Sequence, residues 1–432
     1  HGRVTAVSMM KDEGPYLIEW VAHHLAVGFT DLVVYTNDCS DGTDDMLIRL
    51  EELGLAHHRR NDIPEGLKPQ PSALNYAQAE PIVQQSDWVM VFDADLGLAN
   101  AQLAMGCRTP YNFSHVLSGE KTVNEIIIEG PMALELIQSI SSNDASKLTI
   151  GKAQYSCLPN DTGGIVDDLI IYKIKEESYL LVVNASNIEK DWDWIVYKNS
   201  IGAELINRSD DYSLLAIQGP KAVAAMQSLS SEDLSEIDFY NFKISDFAGV
   251  KDVIISATGY TGSGGFEIYC KNSEVKQIWE SVFKAGNSYG IKPIGLAARD
   301  TLRLEMGYCL YGNDINDETS PIEAGLGWVT KFSKSFTNSD SLEIQKQKGT
   351  ERCLIGFELL ERGIPRKDYR IEDSVGNEIG IVTSGTMAPS LGKGIGLGYV
   401  LSNFKTVGSD IRIVIRKHNV PAKVVKLPFY KK

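Results

Sequence analysis

Histidine is almost missing from most of this chain of 432 residues. Six of its seven histidines lie between residues 1 and 115, the seventh is His418, and the stretch from 116 to 417 has none. Proton work in that stretch falls to carboxylate, tyrosine, lysine or cysteine, and a histidine-rich zinc site is excluded from it. Cations are also scarce: 42 Lys and Arg against 57 Asp and Glu leave a net charge of −15. Such a balance argues against nucleic-acid backbones, which need clustered cations, and against an anionic lipid surface. The six cysteines, at 39, 107, 157, 270, 309 and 353, form no C-x-x-C pair. Their wide, irregular spacing reads as reduced thiols, and the expected location is the cytoplasm. No apolar run approaches the roughly 18 residues of a membrane span, no secretory signal precedes the first strand, and no repeat of about 20 to 50 residues occurs. Rossmann and P-loop glycine motifs are absent. The chain opens on His1 rather than methionine, so its natural start is expected to lie further upstream.

What is present supports several packed domains. A hydrophobic content of 43% sustains full cores, and the length suits two to four domains. Residues 3 to 10 read as a buried strand, 15 to 27 as a helix, 32 to 38 as a second strand, and TDDMLIRLEELG as a helix with Thr43 as N-cap and Gly54 just past its end. DWVMVFDAD (87 to 95) is a further strand ending in acids. Strand and helix alternating in this way predict a parallel sheet. From about residue 126 the texture changes to mixed α and β. IIIEG, LIIYKI, SYLLVVNAS, SLLAIQG, DVIISATG and GFEIYC read as strands; IEKDWDWIVYK, PKAVAAMQSL and EVKQIWESVFKAG read as helices. QKQKGTERC (345 to 353) reads as a linker, and everything after it as β with glycine turns.

Three strings carry the chemistry. In TGGIVDDLIIYK (162 to 173), strand alternation puts Asp168, Ile170 and Tyr172 on one face. A carboxylate and an aromatic beside two glycines suit a flat heteroaromatic ligand; the alternative is that Asp167 and Asp168 end a turn and cap backbone N–H groups. In ATGYTGSGGFEIY (257 to 269), four glycines surround Tyr260 and Glu267, which lets backbone approach a flat ligand closely. Glu267 shares a face with Gly265 and Tyr269 and can accept an N–H pair from an aminopyrimidine edge; the alternative is a solvated glutamate on an edge strand. In GLAARDTLRLEMGYCLYGNDI (295 to 315), Leu296, Arg299, Arg303 and Met306 share one broad helix face. A buried arginine there needs an acceptor, either an anionic ligand or a partner such as Asp300 or Glu305.

Together with LAIQGPKA, NDETSPIEAGLGWVTKF, ERGIPRKDYRI and VTSGTMAPSLGKGIGLGYV, these strings make residues 126 to 430 resemble the aminomethyltransferase of the glycine cleavage system, the T-protein family. The resemblance implies an α+β multidomain fold, with a folate-binding body over 107–344 and a C-terminal β-barrel domain over 352–432. It implies that Asp168 is the catalytic acid and that Tyr172, Asn184, Tyr260, Glu267 and Arg299 line the folate, with Tyr308 a further candidate at a position where family members vary. It implies tetrahydrofolate as substrate, the lipoylated H-protein as partner, and no metal in the main body. The reaction implied turns an aminomethyl group on the lipoyl arm into the methylene of 5,10-methylenetetrahydrofolate and ammonia. Folate-linked demethylases and folate modules without transferase activity share the superfamily; its tRNA-modification and iron–sulfur assembly members carry a K-G-C-Y-x-G-Q-E-like run that is absent here.

Residues 1 to 96 resemble instead the nucleotide-sugar half of a family 2-like glycosyltransferase, through KDEGPYLIEWVAHHLAVGF, NDCSDGT and FDAD. They are read as a partial, Rossmann-like α/β block over 1–106, standing where T-proteins begin their first domain. The resemblance would give Asp93 and Asp95 a divalent metal, with hard oxygens that suit Mg²⁺ or Mn²⁺; the alternative is acids that merely end a parallel strand. It stops near residue 96 and no acceptor half follows, so an active glycosyltransferase is not expected. NFSHVLSGEKTVNE retains only a loose echo of the T-protein start, in Ser114, His115, Gly119 and Glu120.

Overall fold

The structure is a computed structural model that describes residues 3–93, apart from 11–13, 27–28, 38, 62–72, 74–75 and 87, and residues 124–415 and 418–431. Asp95, Cys107, Ser114, His115, Gly119 and Glu120 lie outside the described residues, as does the side chain of Asp93. The chain divides into two compact units, the first reaching from the start to residue 118 and including 295–297, the second holding the rest.

In the first unit, strands β1 (Val4–Met10), β2 (Asp31–Thr36), β3 (His57–Arg60) and β4 (Trp88–Asp93) form a parallel sheet in the order β3-β2-β1-β4. Helices α1 (Gly14–Ala26), α2 (Thr43–Glu52) and the short α3 (Pro81–Gln84) connect them. β2 is buried along its whole length, as a strand with pairs on both sides and covered faces must be. Thr43 is not the N-cap of α2. Gly42 holds that position with φ 89°, and the Asp41 carboxylate takes the Thr43 N–H at 3.0 Å and its hydroxyl at 2.6 Å. Thr43 is the first helical residue, so its own N–H is one of the free ones, and the Asp41 carboxylate two residues earlier accepts it.

The second unit begins with an antiparallel sheet ordered β6-β7-β8-β5-β9, from β5 (Asn124–Glu129), β6 (Ala153–Pro159), β7 (Ile165–Lys175), β8 (Ser178–Val183) and β9 (Glu204–Asn207). A second antiparallel sheet is ordered β10-β13-β12-β11, from β10 (Tyr212–Gln218), β11 (Phe242–Phe247), β12 (Val250–Ser256) and β13 (Gly265–Lys271). The outer face of the first sheet buries Ile126, Ile128, Leu169, Ile171 and Leu181 against α4 (Ala133–Ile140) and α5 (Ile188–Lys198). That of the second buries Val253, Ile255, Phe266 and Ile268 against α6 (Ala222–Met226) and α7 (Val275–Gly286). The inner faces meet through Ala153, Tyr172, Leu180, Phe242, Ile254 and Tyr269. Odd and even residues of one strand thus enter different cores, which is why period-two alternation runs through β7 and β13.

After α8 (Leu296–Glu305) and α9 (Ser339–Lys348), six strands close into a barrel in the order β14-β17-β16-β15-β18-β19: β14 (Arg352–Leu359), β15 (Arg370–Glu372), β16 (Glu378–Ala388), β17 (Lys393–Leu401), β18 (Asp410–Ile415) and β19 (His418–Val425). The expected linker over 345–353 is overturned. α9 occupies its first four residues, Gly349 at φ 84° ends the helix, and β14 starts at Arg352. Polar Gln and Lys residues are good helix formers, so their composition alone does not mark a linker. No helix among the described residues is long and apolar enough to cross a membrane.

The barrel is tied to α8 by one buried ion pair. Arg303 is 1% exposed, and its Nη1 donates to Asp314 at 2.7 Å and to the Tyr308 carbonyl at 2.9 Å. Its Nη2 donates to Ser384 Oγ on β16 at 2.9 Å, and Asp300 takes its Nε at 2.8 Å. Asp314 also accepts from Thr383, Ser384 and the Leu310 N–H. Arg303→Ala is expected to lose about 3–5 kcal/mol of stability, because it leaves Asp314 buried without its counter-charge. Denaturant unfolding reads this, and Arg303→Lys should rescue little, since one ammonium cannot replace the fork.

Candidate functional site

Asp168, Tyr172 and Glu267 lie on the strand faces that meet between the two sheets of the second unit, with Tyr260 on the loop before β13, Arg299 on α8 and Tyr308 just past its end. β7 carries Asp167 and Asp168 next to each other, pointing opposite ways. Both sit inside the strand rather than at a turn, paired across to Leu158 and Cys157 of β6. The turn before them is tight because Gly164 lies against the Asp317 carbonyl, where a Cβ would come within 1.7 Å.

Asp167 is fully buried and accepts three N–H bonds: Asn184 N and Nδ2, each at 2.8 Å, and Asn187 Nδ2 at 2.7 Å. It anchors the end of β8 and the start of α5. Asp168 is held differently. The Tyr155 hydroxyl donates to its Oδ2 at 2.8 Å, and Asn184 Nδ2 donates to its Oδ1 at 2.9 Å and to its carbonyl at 3.2 Å. Burial first, and then the charge of Asp167, push the Asp168 carboxyl up to about 7, against the pull of its two donors. A carboxyl in that range takes and gives protons near neutral pH.

Glu267 is 7% exposed. The alternative of a solvated glutamate on an edge strand is overturned: β13 is paired on both sides, with Glu267 opposite Ala216 and Ser256. Its Oε2 accepts from Thr258 Oγ1 at 2.6 Å. Burial raises the carboxyl, opposed by Thr258 and by the charge of Arg299. Tyr172 is fully buried, its hydroxyl 3.0 Å from that of Tyr269 and 3.2 Å from Thr258 Oγ1. A chain of hydroxyls therefore runs from Tyr269 and Tyr172 through Thr258 to Glu267.

Tyr260 donates its hydroxyl to the Cys309 carbonyl and stacks on Tyr308, ring centroids 5.8 Å apart at 23°. Arg299 places its guanidinium 4.7 Å from the Tyr260 ring centroid, a cation–π contact. Of the partners considered for an arginine of this helix, Asp300 goes to Arg303, not Arg299. The expected close approach of a ligand to the glycine run is corrected at three of its four glycines. A Cβ at Gly259 would meet the Gln218 side chain, at Gly262 Met306, and at Gly265 the Ile217 carbonyl. The backbone there makes room for protein atoms, and Gln218 holds the loop by donating to the Thr258 and Phe266 carbonyls, each at 3.1 Å.

Several site residues escaped the sequence reading. Tyr155, which binds Asp168 and stacks on the exposed Trp328 at 6.0 Å, is revealed only by strand register. Tyr240 is half-buried, and burial is the main cause that pushes its hydroxyl upward. Asp191 had a legible signal: it falls with Ile188 and Ile195 on the inward face of α5. Among the described residues no group of three or more His, Cys, Asp or Glu side chains converges to hold a metal ion. Asp93 ends β4, and its side chain and Asp95 lie outside the described residues.

Residues 116–334 match the GCVT N-terminal domain family, and residues 352–431 the glycine cleavage T-protein C-terminal barrel domain family. The aminomethyltransferase of Flavobacterium psychrophilum is 67% identical over 310 residues, covering 72% of this chain and 86% of that protein. That of Bacteroides fragilis is 52% identical over 340 residues, covering 76% and 94%. A crystal structure of glycine cleavage system aminomethyltransferase T from Bartonella henselae is similar with a TM-score of 0.66 and 34% identity, over 72% of this chain and 85% of that one. The two family matches leave residues 1–115 outside them.

The raised Asp168 carboxyl has a measurable consequence for stability. The unfolded chain releases this proton in the ordinary carboxylate range, whereas the native state holds it up to about 7. The unfolded state then binds fewer protons, so native stability falls as pH rises through that window and is flat above it. Compared with Asp168→Asn, the wild type should lose on the order of a few kcal/mol between those limits. Melting temperatures of both proteins across the window read the difference; parallel curves would mean an unshifted carboxyl.

Proposed function

The chain belongs to the glycine cleavage T-protein family, and we propose that its reaction runs through Asp168, with Glu267, Arg299, Tyr172, Tyr260 and Asn184 forming the folate side of the site. It is an aminomethyltransferase, an enzyme that transfers a one-carbon unit to tetrahydrofolate. The donor is proposed to be the aminomethyl-lipoyl arm of the H-protein. The carbon leaves its sulfur and its amine and bonds to N5 and N10 of the folate. The two protons displaced from those nitrogens go to the departing amine, which becomes ammonia, and to the lipoyl sulfur. The protein must hold the nitrogens against the aminomethyl carbon and move a proton at the right moment. Positioning of this kind can contribute roughly 7 to 11 kcal/mol at best, and a poised acid or base about 10² to 10⁴ in rate.

The observation that carries the assignment is the environment of Asp168. Its carboxyl is clamped by Tyr155 and Asn184 and raised towards neutral pH in a region without histidine. Glu267, buried beside Thr258, offers a carboxylate to the pterin amino and ring N–H groups, and Arg299 over Tyr260 supplies the local cation that an anionic folate needs. Tyr308, stacked on Tyr260, is a further wall. The segment ahead of the family match is read as a block without glycosyltransferase activity of its own; Mn²⁺-dependent turnover of a sugar nucleotide that disappears in Asp93→Ala would overturn this.

Titration with tetrahydrofolate is expected to show Glu267→Ala binding more weakly by about 1.5–3 kcal/mol, the range for a charge-assisted hydrogen bond. Equal affinity for both proteins would remove Glu267 from the site. With lipoyl H-protein as donor, Asp168→Asn should lower turnover by about 10² or more while leaving folate affinity little changed. Asp167→Asn should instead lower the melting temperature, since it disturbs three buried hydrogen bonds. An Asp168→Asn variant that keeps most of its activity while Asp167→Asn does not would reverse the two roles.

A further inference from the structure

Asp191 lies on the inward face of α5, fully buried, and neither of its carboxyl oxygens meets an N–H or O–H donor. An ionised carboxylate in that position would be heavily penalised. Asn187, one turn before Asp191 at the start of the same helix, donates to Asp167 at 2.7 Å, which sets the Asp191 carboxyl facing that of Asp167. Asp167 already takes N–H bonds from Asn184 N, Asn184 Nδ2 and Asn187 Nδ2. That donor set suits the charged form, and two touching carboxyls do not both ionise. The proton therefore stays on the member without donors.

We propose that Asp191 is a neutral carboxylic acid that donates its O–H to Asp167 and, through Asp167, holds the Asn184 amide on Asp168, which makes it a positioning residue for the one-carbon transfer. The link to Asp168 is a single side chain. Asn184 Nδ2 lies 2.8 Å from Asp167 Oδ1 and 2.9 Å from Asp168 Oδ1, so an Asp167 that turned would carry the amide away from Asp168. Burial, followed by the charge of Asp167, pushes the Asp191 carboxyl up to about 11. Lys190, the neighbouring cation, spends its ammonium on the Tyr311 hydroxyl at 2.6 Å and on Asp317 at 3.3 Å. The kinetic half of this inference rests on Asp168 as the catalytic acid; the protonation of Asp191 does not.

Two variants of the full chain test it. Asp191→Asn keeps a donor towards Asp167 and removes the titrating group; Asp191→Leu keeps the bulk and removes the donor. With lipoyl H-protein and tetrahydrofolate, Asp191→Asn should retain a kcat close to wild type. Asp191→Leu should lose about ten- to a hundredfold in kcat with little change in KM for folate, the signature of a misplaced group. An Asn variant as impaired as the Leu variant would overturn the proposal. The second measurement needs no turnover: melting temperatures of wild type and Asp191→Asn from acid to alkaline pH. A native Asp191 that keeps its proton makes the wild type lose stability relative to the Asn variant as pH rises above the ordinary carboxylate range. The other charges facing it, Asp167 and Asp168 from β7 and Lys190 on its own helix, are present in both proteins. A difference that stays flat with pH would show an ionised Asp191 and overturn the proposal. A wild type inactive with H-protein would count against the functional reading, and the pH comparison would still decide this one.

Discussion

The buried pair of Arg303 and Asp314 is the interaction on which the geometry of this protein's second unit turns. Its two members come from α8 and from the loop beyond it, and both also bond to the barrel, through Ser384 and, for Asp314, Thr383. The Tyr399 hydroxyl adds a bond to the Asp314 carbonyl. Because Arg303 also takes the Tyr308 carbonyl, the pair sets the loop whose Cys309 carbonyl receives Tyr260. The ring that Arg299 covers and Tyr308 stacks against is thereby placed, through the backbone of that loop, by this charge pair. Such a pair contributes little net stability against an apolar replacement, but leaving either half alone is costly, so it enforces one arrangement of helix, loop and barrel.

Five buried or half-buried carboxyls in this unit differ in what they do because their donors differ. Asp314 has a guanidinium, and Asp167 has three amide N–H groups. Asp168 has one phenol and one amide, Glu267 one hydroxyl, and Asp191 no donor at all. Burial pushes every carboxyl towards its neutral form; donors and cations pull it back. The gradient from well-supplied to unsupplied acids is thus a gradient from structural anchors, through groups poised to exchange protons, to an acid that keeps its proton. Asp168 falls in the middle, as the proton transfer proposed for it requires.

The readings that failed share a cause. Thr43, the linker over 345–353 and the glycine run were each interpreted from local composition. In each case a partner distant in sequence or a better-placed neighbour decided the outcome: Gly42 took the cap position while Asp41 accepted the Thr43 N–H, Gly349 rather than the whole run ended the helix, and Gln218, Met306 and Ile217 filled the space beside the glycines. The edge-strand alternative for Glu267 failed because the order β10-β13-β12-β11 places β13 inside its sheet.

The sequence by itself determined β1, β2 and β4 with α1 and α2 in the first unit, and β5, β7, β8, β10, β12 and β13 with most of the helices in the second, together with the parallel character of the first sheet, the β nature of the C-terminal part and the family; β3, β6, β9, β11 and α9 it did not show. Those properties follow from the periodicity of apolar residues, from glycine placement, and from ordered strings that occur together. It also named Asp168, Glu267, Arg299, Tyr172, Tyr260 and Asn184 as candidates. Only the tertiary structure decided which acid is held by which donors. Asp167 and Asp168 are identical and adjacent in sequence, and strand alternation shows only that they face opposite ways. Their difference lies in Asn184, Asn187, Tyr155 and Asp191, contributed by β8 and the turn after it, by β6 and by α5. A carboxyl's proton affinity is a property of everything within a few ångströms of it, and that surrounding set exists only once the chain has folded.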